Sequence, residues 1–165
     1  MRKMPLSQAN ITAKGGEQMN YELVLLRNAL RMKRNAKILT KEMQLIALRS
    51  YNTLNWRDGT MGQLRAIEDY SQQIDRLTNV YNLVERALLI VPAGYRALLV
   101  AVYFRNKDKN EIAKRYRVSR STVYRRLYRA RELFCQALQS IGCDKEWFVS
   151  NLSDLDWIDR LPTDN

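Results

Sequence analysis

In the stretch VSRSTVYRR (118–126), Arg120, Ser121, Tyr124 and Arg125 fall at a spacing that turns them outward near the start of one helix. Such a face carries no bond-breaking chemistry. It offers two planar guanidinium forks, a hydroxyl and a phenol ring. Each fork matches O6 and N7 of guanine, with about 1–3 kcal/mol of discrimination for a bidentate pair. The phenol can lie against a thymine methyl or a sugar. Ser119 precedes the helix as a cap, and the amides from Ser119 to Thr122 suit a phosphate oxygen. Arg126, Arg129 and Arg131 are better placed for the backbone of a nucleic acid than for its bases. Lys107 and Lys109, in the connecting segment RNKDK (105–109), add positive charge beside them.

Other chemistries find little support. The chain has no histidine, which removes histidine bases, histidine zinc ligands and Ser-His triads together. Cys135 and Cys143 cannot complete a four-ligand zinc site, and two thiols in 165 residues suit a reducing compartment. There is no GxxxxGK phosphate loop and no carboxylate cluster to hold a magnesium ion. An enzyme is not expected, nor a cofactor. The net charge of +11 favours polyanionic partners through counterion release. That charge is polarised. Residues 144–165 hold Asp144, Glu146, Asp154, Asp156, Asp159 and Asp164 against Lys145 and Arg160, a net −4 that leaves +15 on residues 1–143.

The reading residues need a rigid frame, and the neighbouring sequence describes one. Ala93 to Phe104 reads as a helix, Asp108 as the cap of a second over about 109–116, and Arg117-Val118-Ser119 as a tight turn into a third that Gly142 ends. Small Ala113 permits close approach, and Ile112, Tyr116, Val118, Val123 and Leu127 form the wedge between the last two helices. This is the spacing of a helix-turn-helix, whose second helix meets base edges with its N-terminal residues. Between Gly94 and Arg131 stand twelve bases and two acids. Arg117 takes the turn position that glycine commonly fills, so an unusual backbone conformation is expected there.

Upstream, residues 1–16 read as a basic arm ending in Gly15-Gly16. From Glu17 to Tyr51 the apolar residues Leu25, Ala29, Met32, Ala36, Leu39, Met43 and Ile46 step by four and three along one helical stripe. The segment LNWRDGT (54–60) breaks the rhythm. A second helix over about 61–90 repeats it with Ile67, Tyr70, Ile74, Leu77, Tyr81, Val84 and Leu88, until Pro92 stops it. The two stripes can pair within one chain as a hairpin or between chains, and hairpins that associate into a dimer are expected. The first helix also carries Arg27, Arg31, Lys33, Arg34, Lys37 and Lys41 with no acid between Glu22 and Glu42, a run that fits a solvated face or a second contact to DNA phosphates. In the acidic tail Trp147, Phe148, Trp157 and Ile158 suit either a helix that completes the core or a partner site. The expected fold is all-α: a long coiled-coil-like hairpin (17–91), a helix-turn-helix domain (92–143) and a short helical tail (144–165). No signal peptide or membrane-spanning run is recognisable, and a soluble, cytoplasmic protein is expected.

The stretch VPAGYRALLVAVYFRNKDKNEIAKRYRVSRSTVYRRLYRARELF (91–134) resembles region 4 of sigma-70-type initiation factors. The likeness lies in the leading apolar-Pro pair, the YF before the linker, EIA in the first reading helix, VSRSTVYRR in the second and the closing RAREL. In that family the unit binds the −35 promoter element and touches the flap of RNA polymerase, which implies promoter DNA and bacterial RNA polymerase as partners. Carried over by position, Arg120, Ser121, Tyr124 and Arg125 would face the major groove. Tyr124 and Arg125 are not typical of primary sigma factors, so a standard −35 sequence is not implied. The first 91 residues leave little room for a domain that melts DNA. In architecture the chain is similar to late-gene transcription activators of phages and mobile elements of Gram-positive bacteria (RinA/ArpU-type). The expected function is a sequence-specific DNA-binding regulator. The alternatives are one subunit of a split sigma factor and a small-terminase-like DNA-packaging protein.

Overall fold

Two long helices, α1 (Tyr21–Arg49) and α2 (Gly59–Ile90), run antiparallel, as Gln63 bonding to the carbonyl of Ile46 near one end and Lys33 reaching Tyr81 near the other require. The computed structural model describes residues 21–49 and 59–152, and every element in those ranges is helical. The basic arm, most of the LNWRDGT turn, and Trp157 and Ile158 lie outside the described residues.

The heptad stripes are what join the pair, but unevenly. Leu25, Ala29, Met32 and Ala36 of α1 are buried, as are Leu77, Tyr81, Val84 and Leu88 of α2. Leu39, Met43 and Ile46 are only half-buried, as are Ile67, Tyr70 and Ile74 on the other helix. The last four residues of the α2 stripe are thus covered within the chain. Across this seam the Lys33 ammonium donates to the Tyr81 hydroxyl at 3.1 Å and sits 4.5 Å from its ring centroid. Tyr81 in turn donates to Glu85.

Pro92, in extended conformation, ends α2 and caps α3 (Ala93–Leu99), its carbonyl accepting from the Arg96 amide at 2.9 Å. The helix then widens into a π turn over Val100–Phe104, which Asn106 closes in the left-handed region at φ 49°. Asp108 caps α4 (Lys109–Tyr116) by accepting from the Asn110 amide. Arg117, at φ 51° and ψ 45°, terminates α4 in the left-handed conformation, and the Val118 amide bonds back to Ala113. Glycine does this without a Cβ penalty, so Arg117 costs the turn about 1–2 kcal/mol of backbone strain. Next comes α5 (Arg120–Ser140), which Gly142 closes at φ 82° with the Cys143 amide on the Leu138 carbonyl. A last helix, α6 (Lys145–Leu152), follows.

One hydrophobic cluster threads most of these elements, with Leu25 and Met32 from α1, Val84 and Leu88 from α2, Leu99 from α3, Phe134 and Leu138 from α5, and Phe148 and Leu152 from α6. A smaller one, Ile112, Ala113 and Val123, holds α4 to α5. Tyr116, expected in that wedge, is instead 59 % exposed. It is the last residue of α4, where the chain has already begun to reverse, and Val118 supplies the apolar contact from beyond the turn. The start of the acidic tail is core-forming. Phe148 packs its ring 6.0 Å from that of Tyr21, and Arg76 of α2 donates to the Asn151 carbonyl.

Burial has a consequence for pH. Cys143 is 1 % exposed, and burial, with the charge of Asp144 adding to it, pushes its thiol up to about 12. Burial and the neighbouring Cys135 thiol likewise push the Tyr21 phenol upward. An unfolded thiol ionises near 9.0. Between that pH and about 12 the folded chain holds a proton the unfolded chain has lost, so stability falls as pH rises. Urea midpoints should therefore decline steadily between roughly pH 8.5 and 10.5, and Cys143→Ala should make the decline shallower. An unchanged slope would show that Cys143 does not carry it.

Candidate nucleic-acid interface

The N-terminal turns of α5 present their polar side chains as a locked set. The Ser119 hydroxyl accepts from the Thr122 amide at 3.2 Å and lies within 2.9 Å of the Ser121 hydroxyl and 2.8 Å of the Thr122 hydroxyl. One cap thereby organises three hydroxyls at the positive end of the helix dipole. Arg120 donates to the Tyr124 hydroxyl at 3.1 Å, one helical turn away. On the ring of Tyr124 the Lys109 ammonium stands 4.8 Å from the centroid and the Arg120 guanidinium 5.5 Å. Those cations, Arg120 first, hold the phenol below its usual range. The pair is preorganised by contact between two exposed side chains, so less rotamer freedom remains to be lost when a ligand arrives.

The ten expected residues do not all share this face. Ser119, Arg120, Ser121, Thr122, Tyr124 and Arg125 gather at the start of α5, and Lys107, from the connection before α4, and Lys109, the first residue of α4, border it. Arg129 is partly engaged by Glu132, at 2.9 Å. Arg126 lies on the other flank of α5, on the rim of an apolar groove. That groove, about 390 Å³, runs between α3, α4 and α5 and is lined by Leu98, Ala101, Ile112, Tyr116, Val118 and Val123.

Two contributors escaped the reading of the sequence, and a third, Arg27, was expected only as one of the basic run on the first helix. Tyr128, 65 % exposed, continues the aromatic face one turn beyond Tyr124, and its spacing of four could have disclosed it. Tyr103, from the π turn, accepts from Arg131 at 2.6 Å and fixes where that guanidinium points. Arg27, from α1, lines two clefts of about 610 Å³ each beside α5. The first is shared with Asn106, Lys107, Lys109 and Tyr124, the second with Arg125 and Tyr128, and Arg131 borders both. No local pattern could place Arg27 there.

What this arrangement offers is a basic, hydroxyl-lined surface suited to binding a polyanion. Among the described residues no group of three metal-ligating side chains comes together, and no helix is long and apolar enough to cross a membrane. A basic, capped helix projecting guanidinium forks from a helix-turn-helix matches the groove of a duplex in shape and charge.

Residues 81–134, about a third of the chain, match the family described as Sigma-70, region 4. The match begins at Tyr81, ten residues before the resemblance seen from Val91, so it takes in the last turns of α2. Those turns are the ones whose Val84, Ala87 and Leu88 are buried in the core shared with the head. No curated protein and no solved structure shows significant similarity to the chain. The chain thus carries a sigma-70 region 4-like helix-turn-helix, a DNA-binding unit of transcription regulation.

Proposed function

We propose that this chain is a sequence-specific regulator of transcription that reads promoter DNA with α5 and engages RNA polymerase through the same head. The observation that carries the reading is the coincidence of the family match with an intact reading face, in which Arg120 and Tyr124 are already paired above the Ser119 cap. Sigma factors use the equivalent unit at the −35 element and against the polymerase flap. The apolar groove beyond Arg126 leaves the head a second surface, on the other flank of α5 from Tyr124, suited to an apolar segment of a protein partner. The helical N-terminal half beside such a head supports a role like that of the late-gene activators of phages and mobile elements. Self-association belongs to the same proposal and would use the half-covered Ile67, Tyr70 and Ile74 end of the hairpin.

A genome-wide map of occupancy in the host cell, with any mobile element present, tests this directly. Peaks just upstream of transcription starts are expected. A single peak at a packaging origin, joined to a ring-sized mass in solution, would replace the regulator with a packaging protein.

A further inference from the structure

The clefts lined by Arg27 open a question that the helix-turn-helix does not answer: why a helix of the hairpin should stand beside the reading face at all. Arg27 faces Tyr124, Arg125 and Tyr128 from across the chain, and α1 packs on both α5 and the π turn. From Arg27 the basic residues Arg31, Arg34 and Lys41 follow at intervals of four, three and seven, which keeps them on one stripe of α1. Arg31, Arg34 and Lys41 are exposed. Exposed Ile38 sits on the stripe between Arg34 and Lys41, and exposed Leu45 and Leu48 follow it, so its positive part ends at Lys41. Lys33 lies off the stripe and is committed to Tyr81. The acid nearest the cleft, Asp108, has its carboxylate engaged in capping α4.

Taking the promoter-reading role of α5 as given, we infer that α1 is a second DNA-binding element, whose stripe Arg27, Arg31, Arg34 and Lys41 takes the backbone phosphates flanking the site that α5 reads. Fourteen residues of helix span roughly 21 Å, about the length of six base pairs of duplex. The partner chosen is a duplex backbone because the cations are spaced along a line, as phosphates are. In this arrangement the hairpin fixes how far the protein reaches along the duplex.

The test uses the full chain and a fluorescein-labelled 30-base-pair duplex of random sequence, with anisotropy titrations over a range of salt. Random sequence suffices because counterion release does not depend on base identity. The triple variant Arg31→Ala/Arg34→Ala/Lys41→Ala should flatten the slope of log K against log salt by about 2 to 3, at about 0.9 for each phosphate no longer neutralised. A control that removes the same charge from other surfaces, Arg65→Ala/Arg86→Ala/Lys145→Ala, should leave the slope near that of the parent. Arg31→Lys/Arg34→Lys should keep it too. All the positions changed are exposed, so thermal unfolding should confirm an intact fold. An unchanged slope in the α1 triple, or equal flattening by both triples, overturns the inference while leaving the head as the DNA-binding element. Failure of the parent chain to bind any duplex at low salt would instead sink the promoter-reading role itself.

Discussion

Phe134→Ala is expected to unfold the hairpin and the head in a single step. Phe134 is fully buried at the point where α5 meets the rest of the chain, and it heads the buried side chains in size. Truncating a buried phenylalanine costs about 3–5 kcal/mol, a large share of the roughly 5–15 kcal/mol that holds a typical domain together. The cavity would open within a cluster that also contains Leu25 and Met32 of α1, Val84 and Leu88 of α2, and Phe148 of α6. The damage therefore reaches α1 and α2, which lie far from residue 134 in sequence. Urea unfolding followed by far-ultraviolet circular dichroism should show a lower midpoint and still one transition. Hydrogen exchange gives the sharper reading. Amides in the segments 25–36 and 127–138 should lose protection to the same extent. If the first segment stays protected while the second exchanges, hairpin and head are separate folding units that meet near Pro92.

That outcome bears on how much the sequence could disclose. Local features were legible because their causes are local. Pro92 and Gly142 end helices for backbone reasons, Asp108 and Ser119 cap them through bonds two and three residues long, and Arg117 adopts the left-handed conformation its place in the turn demands. Periodicity likewise revealed two long helices and their facing stripes. It could not show that the half nearer the head would be buried and the other half only partly covered, since that depends on α5 and α6 closing over one end of the pair. Tyr116 misled for a related reason. It stands four residues after Ile112, the spacing of a shared helical face, yet as the last residue of α4 it is left largely exposed where the chain reverses. The docking of Phe148 against Tyr21 joins residues that no short-range rule connects. The reading face itself was found almost residue by residue, because it occupies the first turns of a single helix. Its border was not, because Arg27 arrives from another element entirely.

At the strongest promoter site found by the occupancy map, Arg120→Ala/Arg125→Ala should reduce affinity far more than on random duplex. Removing two bidentate pairs at about 1–3 kcal/mol each amounts to a fall of roughly thirty-fold to twenty-thousand-fold. Random duplex should lose only the electrostatic share, with the salt slope shallower by no more than about 2. The two arginines should not contribute equally. Arg125 has only its own fork to lose, whereas Arg120 also donates to the Tyr124 hydroxyl and stacks beside its ring. Removing Arg120 therefore releases Tyr124 as well, leaving Lys109 as the cation over that ring. Arg120→Ala should cost more at the specific site than Arg125→Ala, and Tyr124→Ala should add little once Arg120 is gone. Competition titrations with the single and paired variants measure that coupling. Equal losses on promoter and random DNA would reduce both arginines to phosphate contacts, and the sequence preference would then have to come from elsewhere on the head.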